Sequence, residues 1–383
     1  MVEALINGRV LCDEGLVADR VVLIDADRIV AVVSPDDPRC TSAVRHDLNG
    51  GLLLPGFIDT QVNGGGGAHF NDDPSVSTIR AMAVAHRRFG TTSLLPTLIS
   101  DDLSVIARAI DAVRIAMSDN IPGVIGVHLE GPFLNEARKG THDASKFRTL
   151  NDTAVALLTS LKCGRTLVTL APEVTTPGMI TSLAAQGVVI SAGHTNATYA
   201  EMENALRHGV TGFTHLFNAM SPLGSREPGV VGAALHDPNS WCGIIVDGHH
   251  VAPVVLRIAL RCKRHDRFML VTDAMASVGT EQTTFMLQGK NIIVHDGRCV
   301  DEEGTLSGSA LDMASAVRNA VDMLGIELAE AVRMASTYPA EFLGLGHELG
   351  RIAPGYRANL VLADDRLNVL DTWIDGRREE PKQ

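Results

Sequence analysis

The sequence predicts an α/β chain folded as a closed (β/α)8 barrel of the TIM type, with a small β-sandwich domain formed by both chain termini. Three observations carry that reading. From residue 52 onward, eight short apolar β-rich runs alternate with segments of helical periodicity, the rhythm of parallel strands joined by crossover helices. Four of the later runs end in a side chain that can bind a metal or move a proton: Glu130, His194, His215 and Asp273. In such barrels chemistry collects at the C-terminal ends of the strands. Finally, both chain ends have β texture broken by turn residues, unlike the segment between them.

Residues 1–51 are assigned to the N-terminal part of the sandwich. Ala4-Leu5-Ile6 leads into Asn7-Gly8, residues 21–24 into Asp25-Ala26-Asp27, and residues 29–33 into Ser34-Pro35. Such pairs between β-branched runs are hairpin chemistry. Residues 35–50 are polar and proline-containing and read as a linker. The barrel is expected over residues 52–345. Its strands begin with the runs at 52–59, 92–97, 124–130 and 167–173, and continue with those ending at His194, His215, Asp247 and Asp273. Residues 76–89 and 103–117 carry apolar residues near helical spacing. Beyond the eighth strand, residues 284–300 predict a β excursion or lid, and 309–324 and 328–343 predict helices. Residues 346–383 form the C-terminal part of the sandwich, with turns at Pro354-Gly355 and Asp375-Gly376. The run Gly64-Gly65-Gly66-Gly67 has no following Lys-Ser/Thr and no dinucleotide spacing, so it predicts a tight, mobile loop and not a phosphate cradle.

Bulk properties narrow the function. A length of 383 residues accommodates a barrel of about 250 residues and an accessory module. The net charge of −12 argues against a nucleic-acid or anionic-membrane surface, so an anionic substrate must meet a local cationic pocket. Six cysteines without a CxxC pair indicate reduced thiols in a cytoplasmic protein. No run is long enough to span a bilayer.

One carboxylate, two imidazoles and a second carboxylate at the same end of successive strands make a hydrolytic metal site. Glu130, His194, His215 and Asp273 are the candidates for that site. His128 shares a strand face with Glu130, but by itself reads as a packed, hydrogen-bonded interior histidine. Glu173 ends the fourth strand after Pro172 and reads as a structural hydrogen-bonder. His249 and His250 are adjacent on a loop and face different ways.

The motif order resembles the amidohydrolase superfamily and, within it, the N-acetylglucosamine-6-phosphate deacetylases. The matching stretches are Pro55-Gly56-Phe57-Ile58-Asp59 with Gln61 and Asn63, His128-Leu129-Glu130-Gly131-Pro132, and Lys139-Gly140-Thr141-His142. They continue with Leu170-Ala171-Pro172-Glu173, Ser191-Ala192-Gly193-His194-Thr195-Asn196-Ala197, Thr214-His215-Leu216-Phe217-Asn218-Ala219-Met220, and Arg226-Glu227-Pro228-Gly229. Asp247-Gly248-His249-His250, Val271-Thr272-Asp273-Ala274 and Gly304-Thr305-Leu306-Ser307-Gly308-Ser309 complete the set.

The resemblance implies hydrolysis of the acetamide of a phosphorylated amino sugar, with one divalent metal ion per subunit on Glu130, His194 and His215. Zinc is the first choice; iron, manganese and cobalt suit the same donors. It implies that Asp273 is the acid/base group. Substrate contacts would come from Thr141, His142, Asn218, Ala219, Arg226, His250 and the run Leu306, Ser307, Gly308 and Ser309, in a homodimer. His142 is expected at the reacting carbonyl, His250 at sugar hydroxyls or phosphate, and Arg226 at the phosphate. Where many amidohydrolases carry His-x-His on the first strand, this chain has Gln61-Val62-Asn63. Neutral amides are weak ligands beside imidazole, so both are expected to hydrogen-bond water, Asp273 or substrate. Two rivals are an amidohydrolase acting on a different amide and a non-catalytic barrel serving binding or assembly. The presence of all three ligands and the base disfavours the second.

Overall fold

In a computed structural model, which describes residues 2–378, the apolar runs form eight parallel strands. They are Phe57–Val62, Thr91–Ile99, Gly126–Glu130, Arg165–Leu170, Val189–Ala192, Val210–Phe213, Trp241–Ile244 and Phe268–Leu270, and each pairs with its sequence neighbour. They read as apolar runs without alternation because both faces are covered; all of Thr91–Ile99 is buried, for example. Between strands lie amphipathic helices with conventional ends. The helix Tyr199–His208 begins with a capping box of Thr198 and Glu201 and stops at Gly209.

The ring closes between the first and eighth strands. Asp273 N donates to Gln61 O at 3.0 Å and Asn63 N to Ala274 O at 2.9 Å. Beneath that seam Asp59 Oδ2 accepts from Thr272 Oγ1 at 2.5 Å, while its Oδ1 accepts from Gln61 N at 3.2 Å and Thr272 N at 3.3 Å. Lower in the barrel a polar belt links the strands. Val62 N donates to Thr97 Oγ1, which contacts His128 Nδ1, and His128 Nε2 lies 2.8 Å from Thr169 Oγ1. Thr169 in turn meets Thr214 at 2.7 Å. His128 is thus a packed interior residue; burial lowers its pKa to about 4, so it is neutral.

Both chain ends enter one eight-stranded sheet. The N-terminal strands are Glu3–Cys12, Gly15–Asp25, Arg28–Val33, Val44–Asp47 and Leu52–Pro55, and the C-terminal ones are Leu360–Ala363, Val369–Ile374 and Arg377–Arg378. The sheet curls until Ile29 N donates to Tyr356 O at 2.9 Å. It thereby encloses its own apolar core, including Leu5, Val22, Ile29, Leu53, Leu360 and Trp373. Leu52–Pro55 joins the two ends, pairing parallel to Glu3–Cys12 and antiparallel to Leu360–Ala363. The run expected to open the barrel therefore divides: its first half belongs to the terminal sheet, and the barrel starts at Phe57. Residues 379–383 of the expected C-terminal segment lie outside the described residues.

The excursion after the eighth strand is a four-stranded antiparallel meander of Thr284–Leu287, Lys290–His295, Arg298–Val300 and Leu306–Ser309. A small apolar cluster of Ile99, Met275, Leu287, Ile292 and Cys299 fastens it to the barrel. The helix expected over 328–343 is two, Leu328–Ala335 and Thr337–Phe342, because the chain leaves helical geometry at Ser336. The glycine run is held, not loose. Gly66 and Gly67 turn with φ of 64° and 82°, and their amides donate to Val278 O and Ala276 O.

The seam gives a stability test. Burial pushes the Asp59 carboxyl up to about 7 against its hydrogen bonds, so Asp59→Asn preserves most of its character near neutrality. Asp59→Ala strands buried donors at about 1–3 kcal/mol for such a group. Urea unfolding at pH 7 should show a loss in that range for Ala and less than half of it for Asn; equal stability of the two variants would contradict this view of the seam.

Candidate active site

At the C-terminal ends of the third, fifth and sixth strands, Glu130, His194 and His215 converge in a buried cluster. Glu130 Oε1 lies 3.1 Å from His194 Nε2 and 2.9 Å from His215 Nε2, and the two Nε2 atoms are 3.1 Å apart. A tetrahedral ion with ligands about 2.0–2.1 Å away has ligand atoms roughly 3.3 Å apart, so a small outward adjustment admits one. His194 Nδ1 donates to Arg138 O at 2.9 Å, which leaves Nε2 as the ligating atom. Burial would raise the Glu130 carboxyl, but the hydrogen bonds and charge of His194 and His215 hold it well below the ordinary range. A carboxylate kept ionised between two imidazole nitrogens fits a divalent cation, as the sequence expected.

His194 and His215 take positive φ values of 49° and 34°, as does Asp273 at 53°. Left-handed backbone is uncommon for residues other than glycine and marks constrained sites. Here it turns each side chain from its strand end over the barrel axis. Glu173 supports the fifth-strand turn, with its carboxylate accepting from Asn135 Nδ2, Thr195 Oγ1 and Asn196 N at 2.9, 2.6 and 2.6 Å. That is the structural part expected of it.

Asp273 stands beside the cluster. Its Oδ1 accepts from Asn63 Nδ2 at 2.6 Å and Gln61 Nε2 at 3.1 Å, and Gln61 Nε2 also reaches Glu130 Oε2 at 3.1 Å. The amide nitrogens of both first-strand residues are thus spent on carboxylates, Asn63 Oδ1 is left buried without a partner, and Gln61 ties the base to a ligand. Burial and then the charge of Glu130 push Asp273 up to about 6.

His142 is buried with its ring centroid 4.3 Å from that of His194. Ser100 N donates to His142 Nδ1 at 3.3 Å, and Ser100 Oγ lies 2.8 Å from the same atom. Because a backbone N–H can only donate, Nδ1 is an acceptor and the ring proton sits on Nε2. Burial, then the neighbouring His194, holds the His142 pKa well below the usual histidine range, so the ring is a neutral donor. Gly131 makes this arrangement possible: a Cβ there would lie 2.3 Å from Ser100 Oγ. His250 has the opposite tautomer, with Nδ1 donating to Asp247 Oδ2 at 2.6 Å, so Nε2 is its free atom.

The remaining expected residues surround this centre. Thr141 Oγ1 accepts from Ser307 Oγ at 3.2 Å. The strand Leu306–Ser309 lies along the eighth strand's end, with Ser309 N donating to Asp273 O at 2.9 Å. Gly308 must be glycine, since its φ is +65° and a Cβ would sit 2.8 Å from Asp273 O. Ser309 Oγ is committed to Thr272 O at 2.6 Å, so its hydroxyl serves the seam. Asn218 and Ala219 lie in the turn after His215; Asn218 Nδ2 donates to His215 O at 3.1 Å, and Ala219 O accepts from Thr195 N. Arg226 is exposed in the loop that Glu227 braces by accepting from Tyr199 N and Gly229 N. It has no described tie to the centre.

The model of the amidohydrolase family matches residues 52–378, the whole barrel and the C-terminal strands. The chain belongs to the amidohydrolase family. Among its relatives, the N-acetylglucosamine-6-phosphate deacetylase of Haemophilus influenzae is 37% identical over 380 residues, covering 98% of this chain and 99% of the relative. The N-acetylgalactosamine-6-phosphate deacetylase of Shewanella sp. (strain ANA-3) is 48% identical over 333 residues, 86% of this chain and 84% of the relative. The crystal structure of N-acetylglucosamine-6-phosphate deacetylase from Pasteurella multocida superposes with a TM-score of 0.95 at 36% identity, covering all of both chains.

Asp59, Ser100 and Asp247 support the site of this amidohydrolase although none stands out in the sequence. Asp59 and Asp247 lay inside quoted motifs without a role, and Ser100 had no signal, since it is 42 residues from the histidine it fixes. The first-strand amides generate a prediction about stoichiometry. Neutral amide oxygens are weak ligands beside imidazole, and the amide nitrogens are bound to carboxylates, so elemental analysis after dialysis should find about one divalent ion per chain, and Glu130→Ala should remove it. Two equivalents, both needed for activity, would show that the first strand also ligates.

Proposed function

We propose that this amidohydrolase removes the acetyl group of N-acetyl-D-glucosamine 6-phosphate, giving D-glucosamine 6-phosphate and acetate. The observation that carries the reading is Asp273: it is buried beside a three-ligand cluster, and its Oδ1 is saturated by Asn63 and Gln61. Oδ2 is left as the proton-transfer atom. A divalent ion on Glu130, His194 and His215, zinc by preference, would acidify water from a pKa of roughly 15.7 to about 7 and polarise the amide oxygen. Asp273 Oδ2 takes the proton of the attacking water and returns it to the departing nitrogen, which leaves poorly unless protonated. His142 Nε2–H is the donor suited to the developing oxyanion. His250 presents Nε2 to sugar hydroxyls or phosphate, and Thr141, Asn218, Ala219 and Leu306–Ser309 line the sugar. Arg226 meets the phosphate, for which a guanidinium offers paired donors.

A second reading has an observation of its own. The Shewanella relative at 48% identity acts, by its name, on the galactosamine epimer, so N-acetyl-D-galactosamine 6-phosphate is the competing substrate. Acetate release from both phosphorylated epimers and from plain N-acetylglucosamine decides. No release from either phosphorylated sugar by metal-replete protein would overturn the deacetylase reading. We also infer a cytoplasmic homodimer. All six cysteines are free, which supports a reducing setting, and the dimer rests on the family resemblance.

Asp273→Asn should keep its metal and most of its substrate affinity while kcat falls by a factor of at least about a hundred; activity within a few-fold of wild type would remove Asp273 from the chemistry. Attack requires the ionised carboxylate, so activity is lost as pH falls through its pKa. That value is pushed up to about 6 without a cation, and a bound dication pulls it lower. The acid limb of kcat/KM should lie at or below about pH 6, and a midpoint above 7 would contradict the assignment. Arg226→Ala should weaken the phosphorylated sugar by on the order of 1.5–3 kcal/mol in kcat/KM and leave the plain sugar unaffected; an equal loss on both would make Arg226 structural.

A further inference from the structure

Besides its last strand, which bonds Asp273 and Thr141, the meander beyond the eighth strand reaches the site through the side chain of Gln288. Its first hairpin, Thr284–Leu287 with Lys290–His295, turns at Gln288 and Gly289, whose φ values are 48° and 81°. From that tip Gln288 Nε2 donates to Ser100 O at 2.9 Å, and Gln288 Oε1 accepts from Asp143 N at 2.9 Å. Ser100 holds His142 Nδ1, and Asp143 follows His142 in the chain. A single carboxamide therefore clamps both the residue that orients the imidazole and the backbone that carries it.

The clamp is anchored on each side. Leu287, immediately before Gln288, is fully buried in the cluster with Ile99, Met275, Ile292 and Cys299, which fixes the hairpin tip over the second strand. On the other face Asn71 brackets Ile99, donating to its carbonyl at 3.1 Å and accepting from its amide at 2.9 Å. The end of the second strand is thus gripped from two directions just where Ser100 meets His142. The two contacts of Gln288 need one donor and one acceptor about a carboxamide's width apart. A carboxylate would face the Ser100 carbonyl with like charge, and alanine would reach neither partner.

From this geometry we infer that Gln288 is a positioning residue: it fixes the His142 loop, so the meander helps to complete the active site. The inference rests on the proposed part of His142 at the reacting carbonyl, but the clamp itself can be tested without it. A misplaced catalytic donor costs about tenfold to a hundredfold in rate. Gln288→Ala and Gln288→Glu should both lower kcat by that factor with KM within about twofold, since the loss falls on orientation and not on uniform binding. In a His142→Asn background the same substitutions should have no further effect, because residues acting through one another are non-additive.

Hydrogen exchange of the metal-loaded full chain supplies the independent readout. The peptide spanning residues 140–147 should exchange about fivefold or more faster in Gln288→Ala, the effect of losing one modest hydrogen bond, with peptides of the terminal sheet unchanged. Unaltered exchange there overturns the clamp whatever the activity. Faster exchange with wild-type kcat overturns its positioning role, as would additive losses with His142→Asn. If the wild-type chain releases no acetate from either epimer, the deacetylase reading fails, and the exchange result alone still decides whether Gln288 holds this loop.

Discussion

The site depends on one oxygen atom. Glu130 Oε1 stands within 3.1 Å of both His194 Nε2 and His215 Nε2, and almost no water reaches it. Such a carboxylate stays ionised only because positive or donating groups surround it. A divalent cation held between that oxygen and the two imidazole nitrogens meets that need. The neighbouring carboxylate feels the same charge: Asp273 is raised by burial and then by Glu130. One ionised ligand therefore sets both the affinity for metal and the basicity of the proton acceptor.

Everything around that oxygen holds its partners still. The His194 turn is braced by Glu173, and the ring by the Arg138 carbonyl. Asp273 sits on the barrel's closing seam, where Asp59 and Thr272 join the first and eighth strands. Gln61 bridges from that seam back to Glu130. The closure of the barrel and the spacing between ligand and base are thus one set of hydrogen bonds. Left-handed backbone at His194 and Asp273 is stabilised by those same contacts, which offset its strain.

The parts legible in the sequence were those written locally. An apolar run ending in a ligand needs only its own residues to be seen, so Glu130, His194, His215 and Asp273 emerged from strand ends alone. The Gln61-x-Asn63 period placed two amides on one face, and both do reach Asp273. What stayed hidden was pairing between distant segments. Leu52–Pro55 looked like the barrel's first strand because its apolar run continues into Phe57; only its partners at Leu360–Ala363 reveal that it belongs to the terminal sheet. Ser100, with no motif around it, fixes a histidine 42 positions away, and Gln288 is a hairpin-tip residue whose partners lie on two other loops. Arg226 carries a motif match but no described contact, so its assignment still rests on chemistry and resemblance.

Anomalous diffraction from crystals grown with a single divalent metal locates the ion. One strong peak per chain is expected, about 2.0–2.2 Å from Glu130 Oε1, His194 Nε2 and His215 Nε2, with Gln61 and Asn63 still bonded to Asp273. A peak ligated by Gln61, Asn63 or Asp273 in place of those three atoms would contradict it.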